Sequence, residues 1–74
     1  MPVIERFGSF VIRMYFEDHN PPHVHVESAD AQALVSIADQ VVIAGSLPSS
    51  YAKDALTWIS ENRDFLLEKW AELS

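Results

Sequence analysis

The chain has no cysteine, which excludes disulfides, thiolate zinc sites and cysteine nucleophiles. Positive charge is also scarce. Five Lys and Arg face eleven Asp and Glu, giving a net charge of -6 and a pI near 4.7. Such a balance repels phosphate backbones and anionic membrane surfaces, so sequence-independent nucleic-acid binding is not expected. The deficit is even along the chain: residues 1 to 37 carry two basic and five acidic groups (net -3), and residues 38 to 74 carry three and six (net -3). No long apolar run is present. The longest uncharged stretch, between Asp39 and Lys53, is interrupted by Gly45 and Pro48 and is too short to span a bilayer. The first ten residues lack a cationic segment followed by an apolar one, so no secretion signal is read there and the expected location is the cytoplasm.

What is present is a chain of 74 residues, 49% hydrophobic with eight aromatics. It is too apolar for disorder and long enough for one small domain, 1–74. A core of this size leaves stability marginal, and without disulfides the support must come from packing, histidine metal ligands or another chain.

The first half is written in strand chemistry. Val3 to Phe7 and Phe10 to Phe16 are rich in Val, Ile, Phe and Tyr, with Gly8-Ser9 as the turn between them. In the second run Phe10, Ile12, Met14 and Phe16 share one face, and Val11, Arg13 and Tyr15 the other, because side chains alternate across a strand. Asn20-Pro21-Pro22 forces a loop. A third strand is expected from His23 to about Ser28, a fourth from Gln32 to Ile37 and a fifth from Val41 to Ala44, joined by short turns that favour a meander. After Gly45-Ser46-Leu47-Pro48 the period changes to that of a helix: Ala52, Leu56, Ile59, Leu66, Trp70 and Leu73 form an apolar stripe that Ala55, Trp58 and Phe65 widen. Arg63 breaks the stripe, so two helices are expected, about Ser49–Glu61 and Asn62–Glu72, with Ser49 or Ser50 as N-cap. The fold class is therefore α+β: an antiparallel meander sheet of four or five strands followed by two C-terminal helices packed on one face.

All three histidines lie within seven positions, in Asp18-His19-Asn20-Pro21-Pro22-His23-Val24-His25. On a strand, His23 and His25 project from one face roughly 6 to 7 Å apart, a spacing two imidazoles can close around one metal. His19, Asp18 or Glu27 would supply a third ligand and water a fourth; a divalent metal such as zinc is what this set would take. Pairing of the second and third strands would also gather Arg13, Tyr15 and Glu27 on that face. Arg13 would then position a phosphate while His23 and His25 would transfer protons, a set suited to a small histidine-dependent nuclease. The plainer reading is that the histidines order the Pro-Pro loop through hydrogen bonds to its carbonyls. Whether the chain is an enzyme stays open at this level. Trp58 and Trp70 read as core, and Glu61, Asp64, Glu68 and Glu72 make the outer helix face acidic.

The opening Met1-Pro2-Val3-Ile4-Glu5-Arg6-Phe7-Gly8, the Asp18-His19-x-Pro21-Pro22-His23-x-His25-Val26 core, the Gly45-x-Leu47-Pro48 step and the Trp58…Leu66…Trp70 spacing resemble the small bacterial proteins grouped as domain of unknown function 4160. The resemblance covers essentially the whole chain. It implies a cytoplasmic bacterial protein, commonly encoded beside a second small protein in arrangements that suggest toxin–antitoxin modules. It brings no catalytic residue with it, and Val24 stands where members often carry an aromatic. Together with the weakly charged strand edges, it leads to an expected mode of action: docking of a small partner protein, or self-association as a two-fold dimer.

Overall fold

The computed structural model describes residues 3–15 and 19–73. The expected arrangement is found: five antiparallel strands in one sheet, followed by two helices. The strands are β1 (Val3–Arg6), β2 (Val11–Arg13), β3 (His23–Glu27), β4 (Gln32–Ser36) and β5 (Val42–Gly45), and their spatial order is their chain order, a meander. The helices are α1 (Ser49–Glu61) and α2 (Arg63–Leu73).

The apolar alternation decides what is buried. Ile12 pairs with Val26 and Val26 with Ala33, while Val24 pairs with Val35, so one sheet face presents a continuous set of small and branched side chains. These five residues, with Phe10, Met14 and Ile37, are buried in one core with Tyr51, Ala55, Ile59, Leu66 and Trp70 of the helices. Burial of such a set at roughly 25 cal/mol per Å² of apolar surface is the main force holding the layers together.

Three local expectations need correction. The second strand ends at Arg13 rather than running to Phe16; Phe16 itself lies outside the described residues. No serine side chain caps α1: Pro48 occupies the cap position at φ -55 and ψ 138, and its carbonyl accepts from the amides of Tyr51 and Ala52. The fixed φ of proline suits that entry, and the helix begins at Ser49 without a hydroxyl acceptor. The buried stripe of α1 is Tyr51, Ala55 and Ile59, with Leu56 only partly buried, and Phe65 of α2 is 48% exposed instead of widening the stripe. The stripe is rotated because Tyr51 turns inward, where its ring stacks on Phe10 at 4.5 Å and its hydroxyl donates to Ser28 Oγ at 2.8 Å. A buried tyrosine needs a partner for that hydroxyl, and Ser28 supplies it.

The break between the helices falls at Asn62, whose backbone and side-chain amides both donate to the Trp58 carbonyl, while its own carbonyl accepts from Leu66. Asn62 thus ends α1 and starts α2 in one residue.

Candidate functional site

The non-core face of β2 and β3 carries the residues singled out in the sequence. Register places Arg13 opposite His25 and Val11 opposite Glu27, so Arg13 and Glu27 form a diagonal pair across the two strands. Arg13 Nε lies 2.9 Å from Glu27 Oε1, and the Tyr15 hydroxyl donates to Glu27 Oε2 at 2.6 Å. Both carboxylate oxygens of Glu27 are therefore engaged. The Tyr15 ring meets His25 edge-on at 4.4 Å, and His25 lies 5.1 Å from His23 between ring centroids.

His23 is 4% exposed. Its Nδ1 is 2.8 Å from the Pro21 carbonyl, and because a carbonyl can only accept, Nδ1 carries the proton in that contact. The other side of the ring faces Trp70, 5.1 Å away. This meets the expectation that a histidine hydrogen-bonds a loop carbonyl, and it ties the Pro-Pro segment, whose Asn20–Pro21 bond is cis, to the start of β3 and to the last turns of α2. The contact with Trp70 was not legible beforehand, since nothing in the spacing of α2 says which strand its C-terminal half reaches.

The structure thus brings Arg13, Tyr15, His23, His25 and Glu27 together, as expected. Among the described residues no group of three or more His, Asp or Glu side chains is gathered closely enough to hold a metal ion, and His19 lies exposed in the loop. Asp18, the other loop ligand considered, lies outside the described residues. Beside the Arg13–Glu27 pair runs a shallow groove of about 350 Å³ lined by Phe7, Ser9, Phe10 and Ala29 among others.

A second feature lies at the end of the sheet. β5 has one strand neighbour, β4, and every residue from Val41 to Ser46 is exposed, with Val41 at 50%, Val42 at 40% and Ile43 at 44%. The strand is shaped by two irregularities. Val35 pairs with Val42 and Leu34 with Ala44, leaving Ile43 as an extra residue in a bulge. Gly45 then takes φ +78, and its missing Cβ is what lets the strand pass over the Gln32 carbonyl. At the opposite edge, β1 carries exposed Glu5 and Arg6, charges of the kind that protect a strand from pairing. β5 carries none.

Architecture and surface together define a small α+β domain: a meander sheet with its helices on the apolar face, a self-paired polar cluster on the other, and one apolar edge. The chain belongs to the family described as Domain of unknown function (DUF4160), whose model matches residues 9–71. No curated protein and no solved structure matches it. Among the described residues no helix is long and apolar enough to cross a membrane.

Proposed function

We propose that this protein is an interaction module of the bacterial cytoplasm that acts by docking a small partner protein, in the manner of one component of a toxin–antitoxin-like pair. The observation that carries the reading is the uncharged, exposed β5 edge with Val41, Val42 and Ile43 side by side. Strand edges of this kind are normally blunted by lysine, proline or cover, because their unpaired amides and carbonyls invite another chain. The polar cluster supports the same reading. Glu27 is held by Arg13 and Tyr15, and His23 is buried, so these side chains serve to fix the loop and strand rather than to meet a polynucleotide.

A histidine-dependent nuclease using His23 and His25, with Arg13 and Tyr15, is the second reading; the approach of the two rings to 5.1 Å favours it. The two readings separate cleanly. Co-expressed with a candidate small partner protein from its host, the wild type should purify as a stoichiometric complex. Ile43→Lys should abolish that complex without altering the circular dichroism spectrum, since the side chain is 44% exposed. A folded His23→Ala plus His25→Ala variant should retain the complex. Retained binding by Ile43→Lys, or a cellular phenotype lost only with the histidines, would favour chemistry instead.

A further inference from the structure

We infer that the occupant of the β5 edge is an extended segment of a cationic partner, added as a sixth strand, with apolar side chains between basic residues at both its ends. This rests on the interaction-module reading and specifies the chemistry of the partner.

The edge is apolar in its middle and acidic at its ends. Asp39 stands exposed in the turn that precedes β5, and Asp30 stands exposed in the turn that shares a shallow groove with Gly45 and Ser46 at its other end. No charged residue occurs between Asp39 and Lys53. Arg63, which donates its Nε to the Ala38 carbonyl, lies 3.6 Å from Asp64, so it brings its own carboxylate. An extended partner that covers Val41 to Ser46, a stretch shortened by one residue through the bulge at Ile43, would carry its flanking basic residues about six positions apart. Net charge of -6 adds long-range attraction for such a segment.

A second copy of the chain fits this edge poorly. Antiparallel two-fold pairing would bring the Asp39 end of one copy to the Asp30 end of the other, and like charges juxtaposed across an interface disfavour it. It would also require the bulge at Ile43 to mate with itself, whereas a flexible segment can follow its twist. Both points favour a partner of opposite charge over the homodimer expected from edge exposure alone.

The test is an NMR titration of isotope-labelled protein with two synthetic peptides. One is capped Lys-Val-Thr-Val-Thr-Val-Lys, and the other has glutamate in place of both lysines. The lysine peptide should shift the amides of Val42 to Gly45 and bind at least about tenfold more tightly than the glutamate peptide, a preference that high salt removes. Asp30→Asn plus Asp39→Asn should weaken it about fivefold while leaving the spectrum of the free protein otherwise intact. Equal binding of both peptides, shifts confined to other elements, no binding, or a free protein whose β5 is already occupied in a dimer would each overturn the inference. If the complex with a small partner protein forms while the lysine peptide fails, this inference falls and the module reading stands; if that complex never forms, the module reading falls by itself.

Discussion

Replacing Trp70 by alanine is expected to destabilise the domain by roughly 3 to 5 kcal/mol, the range for truncating a large core aromatic. The indole is 8% exposed, belongs to the same buried cluster as Ile59 and Leu66, and lies 5.1 Å from the His23 ring. Its loss would leave a cavity on one side of α2 and remove the packing that holds His23 against the Pro21 carbonyl. Against a total of about 5 to 15 kcal/mol for a typical domain, this is enough to bring a chain of 74 residues close to unfolding at ambient temperature. Chemical denaturation should show the midpoint falling steeply with little change in slope. A loss under about 1 kcal/mol would mean that α2 is not anchored through this residue.

Gly45→Ala should cost about 2 to 4 kcal/mol, through a left-handed φ that alanine disfavours, a clash and a broken hydrogen bond. At φ +78 the added methyl would run into the Gln32 carbonyl oxygen and approach Ala33 Cα to 3.1 Å, both backbone atoms of the neighbouring strand. Neither can swing away as a side-chain tip would. Relief requires lifting the end of β5 from β4, which breaks the bond from the Ser46 amide to Gln32 O at 3.0 Å. Thermal unfolding should record a fall on the order of 10 °C or more for a domain of this size. Partner binding should also be lost, because the strand that offers the edge has moved. Serine at this position should behave like alanine, since both add a Cβ.

The fold was largely legible because this sequence alternates cleanly where it forms strands. Ile12, Val24 and Val26 fall on one face of their strands by alternation, and all three are buried in the core. The helix break was visible in Arg63 interrupting the stripe, although the residue that turns the chain is Asn62. Less legible were features set by tertiary contact. Tyr51 does not belong to the apolar stripe read from the period, and Phe10 and Ser28 are what receive it in the core. Phe65 reads as core by spacing, yet the angle of α2 leaves it half exposed. For the polar cluster, strand pairing foretold that Arg13, Tyr15, His23, His25 and Glu27 share a face. What it could not foretell is that Glu27 binds both Arg13 and Tyr15, or that His23 is buried against Trp70, because those depend on rotamers and on where α2 ends.

Amide hydrogen exchange on the protein alone and in complex with a small partner protein tests most directly whether β5 receives that partner. The outward amides of Val42 to Gly45 exchange fast in the free protein if the edge is open. On binding they should slow by at least about tenfold, while amides of β3 and the histidine loop change little. Protection centred on residues 19–27 with β5 unchanged would contradict this account and move the interface to the histidine face.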